Sequence, residues 1–415
     1  MIMPAPGEVT GRSMSMHSKL TPQAHEVKQS QARFMANPGS LYVHIPFCIH
    51  HCHYCDFAVV AGQDHLADAY LQALNQEIDL LGDECLPSRP LTTVFFGGGT
   101  PTQLSAQQLQ KLIDIVRNRF PLSDQVEWSV EANPEGLSLD KIKTLADGGV
   151  NRISLGIQSM SDTLLHQLER HHSHQDILAV LDLVHPYFTN VAVDLIFGIP
   201  GQTPDDWEQQ LEWLQQFPIK HVSTYGLTYE KGTRLWKARQ QGAIMPVAED
   251  LEAQMYRHAM CRLPELGFQQ YEISNFAQSG WQCQHNETYW SNQPHYGFGL
   301  GAARYLNGCR STNTRSMHTY LTHLEKRQSV IQHQETLSPQ DRARETAMLN
   351  LRRVRGLHRS EFQAQTGFDI DPLAASAIAW GKAQGWLHDD GVCIALTREG
   401  RLFADEVLGR FLLAE

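Results

Sequence analysis

Long apolar runs are missing from this chain. None of its 415 residues lies in a stretch of the roughly 18 to 20 apolar positions that a membrane-spanning helix needs, and the N-terminus lacks the apolar core of a secretory signal, so no transmembrane segment and a cytoplasmic location are expected. Positive charge is also in short supply. With 34 Lys and Arg against 45 Asp and Glu, the formal charge of −11 argues against a generally basic nucleic-acid protein. Cysteine is sparse and mostly scattered: of eight, Cys85, Cys261, Cys283, Cys309 and Cys393 stand far apart, which argues against a disulfide framework. There is no low-complexity tract and no internal repeat beyond a strand–helix alternation.

That alternation is what the chain does contain. Residues 1–38, rich in methionine and scattered polar residues, show no lasting period and are expected to form a mobile extension, with Met35 as a candidate start. From Leu41 to about Leu227, six β-rich runs (LYVHI, TTVFFGG, VEWSVEA, RISLGIQ, VAVDLIFG, HVSTYGL) alternate with amphipathic stretches. One stretch places Leu66, Tyr70, Leu74, Ile78 and Leu81 on a single helical face, and the next does so with Leu109, Leu112, Ile113, Val116 and Phe120. Ser105 with Gln108, and Thr203 followed by Pro204 and Asp206, mark helix starts. Successive βα units imply an α/β fold with a parallel sheet, either open and doubly wound or a full or partial barrel. Beyond residue 230 the chain becomes irregular, rich in Gly, Asn and aromatics, to about 315. From 316 onward, helical patterns and a hairpin turning on Asp389, Asp390 and Gly391 predict a small winged-helix-like domain.

Three cysteines are not scattered. Cys48, Cys52 and Cys55 lie in HIPFCIHHCHYCDF, directly after the first predicted strand. A structural zinc site normally takes four protein ligands, and His50, His51 or His53 could supply the fourth. The alternative is a [4Fe–4S] cluster held at three irons, with the fourth iron open to a ligand. Other polar residues gather where such folds place their sites. Strand parity puts Arg152, Ser154, Gly156 and Gln158 on one face opposite Ile153, Leu155 and Ile157. By the same count Asp194 points inward, away from Val191, Val193, Leu195 and Phe197, and Glu131 lies on the inner side of its strand, so Glu131, Gln158 and Asp194 are expected at the C-terminal mouth of the sheet. Gly97, Gly98 and Gly99 end the second strand and permit close backbone approach to a ligand.

The C-x3-C-x2-C spacing in this context resembles the radical S-adenosylmethionine superfamily. The resemblance implies a partial (β/α)6 barrel over residues 39–230, an extension over 231–315 and the C-terminal domain over 316–415. It implies that the amino acid end of S-adenosylmethionine chelates the open iron, and that the glycine stretch meets the cofactor's ammonium group. The positions it assigns to the cofactor are Tyr42, Tyr54, Gly98, Gly99, Thr100, Glu131, Gln158, Arg170 and Asp194. The chain is most similar to the branch containing oxygen-independent coproporphyrinogen III oxidases and HemW heme chaperones. The oxidase pattern carries a further cysteine where this chain has Phe57, whereas HNETYW, residues 285–290, matches the HNxxYW motif of the chaperones.

Within that motif His285 offers an imidazole nitrogen to heme iron, with Tyr289 as a second candidate ligand, and Tyr289 and Trp290 offer flat surfaces to a macrocycle beside Asn286. The plainer alternative is that His285 and Asn286 hydrogen-bond a loop while the aromatics fill a core. RHHSHQD, residues 170–176, is expected to be a polar turn, Arg170 excepted. Three functional readings follow. The first is a heme chaperone with a [4Fe–4S] cluster and S-adenosylmethionine, serving acceptor hemoproteins such as respiratory-chain proteins at the inner membrane face and lacking coproporphyrinogen oxidase activity. The second is the oxidase. The third is an RNA-directed radical enzyme, suggested by Arg352, Arg353 and Arg355 and opposed by the acidic balance.

Overall fold

The computed structural model describes residues 38–82 and 89–413. Met35, Cys85 and all but the last residue of the expected mobile extension lie outside the described residues. The six β-rich runs form parallel neighbours in chain order: β1 (Ser40–Ile45), β2 (Leu91–Gly98), β3 (Leu122–Ala132), β4 (Arg152–Gln158), β5 (Asn190–Phe197) and β6 (His221–Gly226). Helices on the connections include α1 (Ala67–Asp79), α2 (Ala106–Arg119), α3 (Leu139–Asp147), α4 (His174–Val184) and α5 (Pro204–Trp213). Ser105 and Gln108 cap α2 reciprocally, and Thr203 and Asp206 do the same for α5, with Pro204 in its first turn. Their apolar stripes pack on the outer face of the sheet. Tyr70, Leu74 and Ile78 of α1 and Leu109, Leu112, Ile113 and Val116 of α2 are buried against Val94, Phe96, Val130, Ile153 and Val193. Each such Leu, Ile or Val contributes about 1.5–3 kcal/mol by leaving water.

The barrel stays partial. Past residue 230, β7 (Gln269–Gln270) pairs antiparallel with β8 (Asn275–Ala277), which pairs antiparallel with β6. At the opposite edge β9 (Tyr296–Phe298) runs parallel to β1, giving an open sheet in the order β9-β1-β2-β3-β4-β5-β6-β8-β7. The stretch after 230 is more regular than its composition suggested: it holds a 17-residue helix, Glu249–Glu265, which buries Met255, Tyr256, Ala259 and Leu263. It also holds the short helix α6 (Gln284–Trp290), which carries the HNETYW motif.

The C-terminal part has its own core, in which Leu351, Phe362, Ile378, Ile394 and Phe411 meet. It comprises α7 (Pro339–Leu351), β13 (Leu357–His358), α8 (Arg359–Thr366), α9 (Ala375–Ala383), β14 (Leu387–Asp389), β15 (Cys393–Leu396) and α10 (Ala404–Phe411), preceded by the antiparallel sheet β10 (Ala303–Leu306), β11 (Cys309–Asn313) and β12 (Ile331–Thr336). The expected hairpin is β14 and β15, turning where Gly391 takes a φ of 84° and Asp390 accepts from the backbone N–H groups of Val392 and Cys393.

Candidate functional site

The cysteine loop begins where β1 ends. Phe47–Cys48 pairs with Val60–Ala61, which closes the base of the loop. Its tip is tied to the rest of the molecule through carbonyls: Arg234 donates to His51, Arg315 to Asp56, and the Leu235 N–H to His53. Cys48, Cys52 and Cys55 are all free and partly exposed. Burial pushes the Cys48 thiol up to about 11 and that of Cys55 to about 12, and raises Cys52 despite the nearby Arg170 guanidinium. Of the histidines that could complete a zinc site, His50 and His51 spend Nε2 on the carbonyls of Glu169 and Cys55, and His53 Nε2 meets Glu169 at 2.9 Å. Three unpaired thiols at an open mouth, with a cation 3.7 Å from one of them, fit a cube of iron and sulfide ligated at three corners.

A hydrogen-bonded network stands behind the thiols. Thr100 lies 3.8 Å from the Cys48 sulfur and accepts from Asn133 Nδ2 at 2.8 Å. Asn133 Oδ1 in turn accepts from Arg170 Nη2 at 2.7 Å, and the same nitrogen donates to the Gly156 carbonyl at 3.1 Å. Arg170 is 3.7 Å from Glu135, whose other oxygen meets His172 Nδ1 at 2.8 Å, while His172 Nε2 meets the Ile157 carbonyl at 3.0 Å. Burial works to raise the Glu135 carboxyl, but His172 and Arg170 together hold it down at about 2. The polar-turn reading of RHHSHQD therefore fails at His172, which is buried in this network. Sequence reasoning missed Asn133, Glu135 and His172 alike, because only the fold brings their two connections together.

The glycines serve the protein's own packing. A Cβ on Gly97 would lie 2.8 Å from Glu131 Oε2, one on Gly98 2.3 Å from the His44 ring, and one on Gly99 2.8 Å from the Pro46 backbone. Gly98 also has a φ of 110° and donates its N–H to Glu131 at 2.9 Å. Gln158 departs from simple strand parity: a bulge interrupts its pairing with β5, it takes a φ of 67°, and its amide reaches the Gly156 side of the mouth from there. Tyr54 packs beside Leu164, Leu168 and Ile199.

Below the mouth lies a lumen of about 70 Å³, whose lining includes Tyr42, Glu131, Arg152, Ser154, Asp194 and His285. Arg152, Ser154 and Asp194 face inward as parity predicts. Burial, together with the neighbouring Asp194 charge, pushes Glu131 up to about 7, and burial raises Asp194 as well.

α6 forms the floor, opposite the cysteines. Thr288 meets Ser40, at the start of β1, at 2.8 Å, and Glu127 of β3 accepts from the Gln284 and His285 N–H groups. His285 is 1% exposed, stacks on Phe95 and has both ring nitrogens engaged, Nδ1 with Thr93 at 2.8 Å and Nε2 with Tyr289 at 2.9 Å. Asn286 hydrogen-bonds Tyr271. In this arrangement His285 and Tyr289 bond each other, as in the plainer alternative, and the lumen beside them is far smaller than the ~300–1,000 Å³ of pockets for larger ligands. Trp290 turns away from the lumen and lies under Arg352, 4.6 Å from its guanidinium. Of the basic run that suggested RNA, Arg353 is buried and Arg355 pairs with Glu361.

Comparison with known proteins agrees with this layout. Residues 42–214 match the radical SAM superfamily, and residues 337–403 match the HemN C-terminal domain. The chain is 37% identical over 376 residues to the heme chaperone HemW of Bacillus subtilis, covering 90% of this chain and 99% of that one. It is 33% identical over 388 residues to HemW of Escherichia coli, covering 90% and 98%. The solved coproporphyrinogen III oxidase HemN of Escherichia coli superposes with a TM-score of 0.81 at 24% identity over 94% of this chain and 93% of that one, a likeness of fold. The cysteine loop, the open six-stranded core and the matching of relatives from end to end place this chain in the HemW family of the radical SAM superfamily.

Proposed function

We propose that the protein is a heme chaperone: it binds heme and passes it to acceptor hemoproteins, and it carries a [4Fe–4S] cluster and S-adenosylmethionine at the mouth of the barrel. The observation that carries this reading is the identity of 33–37% to proteins named heme chaperone HemW, over 98–99% of the length of three of them. Cys48, Cys52 and Cys55 would hold the cluster, which when bound supplies an open iron for the amino acid end of S-adenosylmethionine. Arg170 and Asn133 orient the thiol side of that mouth through Thr100, and the inward carboxylates Glu131 and Asp194 face the remainder of the cofactor. Phe57 stands where the oxidase pattern has a further cysteine, which supports the chaperone over porphyrinogen decarboxylation.

We place the acceptors among respiratory-chain proteins and the protein at the inner membrane face as a peripheral visitor. No helix among the described residues is long and apolar enough to cross a membrane. The test is transfer. Heme-loaded protein mixed with an apo-cytochrome should move its Soret absorbance to the acceptor, and coproporphyrinogen supplied with cluster and S-adenosylmethionine should stay unreacted. Decarboxylation above a cluster-free control overturns the reading in favour of the oxidase.

A further inference from the structure

α6 separates two cavities. His285 and Tyr289 face the lumen, whereas Ser291, just past the helix, lines a cleft of about 140 Å³ against the C-terminal domain, together with Arg353, Arg355, His358, Glu361 and Phe362. The cleft is too small for a macrocycle and roomy enough for one polar arm of it.

Its charge is poorly matched from within. Arg353 is 5% exposed, its nearest carboxylate oxygen, on Glu287, is 3.7 Å away, and its Nε has no partner. That distance exceeds a charge-assisted hydrogen bond, and a buried guanidinium so loosely paired is costly to keep. Burial and the adjacent Arg355 work against its charge and outweigh the support of Glu287 and Glu361. Outside the cleft lining, two more buried donors lack acceptors, Nε of the neighbouring Arg352 and Nε1 of Trp290, the pair stacked at 4.6 Å. Arg355 is held away from the task by Glu361, which it grips with two hydrogen bonds of 3.2 and 2.9 Å. What lacks an acceptor is the Arg353 Nε, and Phe362 supplies an apolar wall to the same cleft.

We propose that this cleft is a carboxylate subsite that takes one propionate of the tetrapyrrole and leaves the ring outside, against the surface near Trp290 and Arg352. The assignment rests on the heme reading above and locates one point of contact that HNETYW, folded into the floor, does not provide.

The test uses the full chain and two probes, heme and heme dimethyl ester, titrated by Soret absorbance in the wild type, Arg353→Gln and Glu361→Gln, with circular dichroism as a folding control. Loss of a hydrogen-bonded charge contact is expected to weaken binding about tenfold or more. Wild type should therefore bind heme at least about tenfold more tightly than the ester, and Arg353→Gln should bring heme down to the ester's affinity without changing the ester's own. Glu361→Gln releases Arg355 and should tighten heme binding. Equal affinity for heme and ester in the wild type overturns the subsite, as does an unchanged heme affinity in Arg353→Gln. If Arg353→Gln fails to fold, Glu361→Gln decides: unchanged or weaker heme binding overturns the proposal. Inorganic phosphate that displaces heme no better than chloride supports a propionate-specific seat; displacement of heme and ester alike by phosphate assigns the cleft to a free small anion instead. Absence of heme binding in the wild type removes the chaperone reading itself, whereas intact heme binding insensitive to Arg353 and to esterification removes only the subsite.

Discussion

Replacing His285 with Ala separates its role as part of the barrel floor from a role as heme ligand. The ring is buried, holds Thr93 on one nitrogen and Tyr289 on the other, and stacks on Phe95 with centroids 5.1 Å apart. Its removal leaves two buried hydroxyls without that partner at ~1–3 kcal/mol each and forfeits ring stacking of ~0.5–1.5 kcal/mol. Hydroxyls can rotate and water can enter from the adjoining lumen, which places the expected loss in the lower half of that sum, about 3 kcal/mol. The assay is urea unfolding of cluster-free protein followed by tryptophan fluorescence. At an m of roughly 3 kcal/mol/M, the midpoint of the barrel transition should fall by about 1 M. Heme that still binds to the folded variant should show the wild-type Soret position. A variant as stable as the wild type whose heme spectrum is altered would refute this account of the floor and restore His285 as the axial ligand.

Changing Cys52 to Ala should abolish the [4Fe–4S] chromophore after anaerobic reconstitution, and changing Cys283 or Cys309 should not, as iron and sulfide analysis would show. Asp194→Ala should weaken S-adenosylmethionine binding by about 1–3 kcal/mol, the cost of an unpaired polar contact, read from the cofactor-induced change in the cluster's electron paramagnetic resonance signal. Stability should fall with pH between about 6.5 and 4, because burial holds His44 and His295 at about 4 while the unfolded chain takes up those protons near 6.5. Glu131, raised to about 7, works in the opposite sense by keeping its proton in the folded state, so Glu131→Gln should steepen the fall in thermal melts between those pH values.

Much of the core was legible because a parallel sheet covered by helices imposes a strict pattern. Inward Arg152, Ser154 and Asp194 and outward Ile153 and Val193 follow from alternation alone, and Ser105 with Gln108 announces its helix locally. Gln158 was placed near the mouth for an incomplete reason, since a bulge between Leu155 and Gln158 breaks the count and leaves no mark in composition. His172 was hidden because its partner Glu135 is 37 positions away and on another connection. The floor was half visible. His285 and Tyr289 sit four residues apart, a spacing that puts two side chains on one helical face and permits the bond they make. What the motif cannot reveal is that this face meets Thr93 and Glu127, which requires the chain to return beneath strands more than 150 residues earlier.

The most direct test of the chaperone account is an anaerobic heme titration of the cluster-loaded protein, followed through the Soret band. The account predicts saturable binding at one heme per chain. A featureless titration, with heme remaining as it is in buffer, would contradict it.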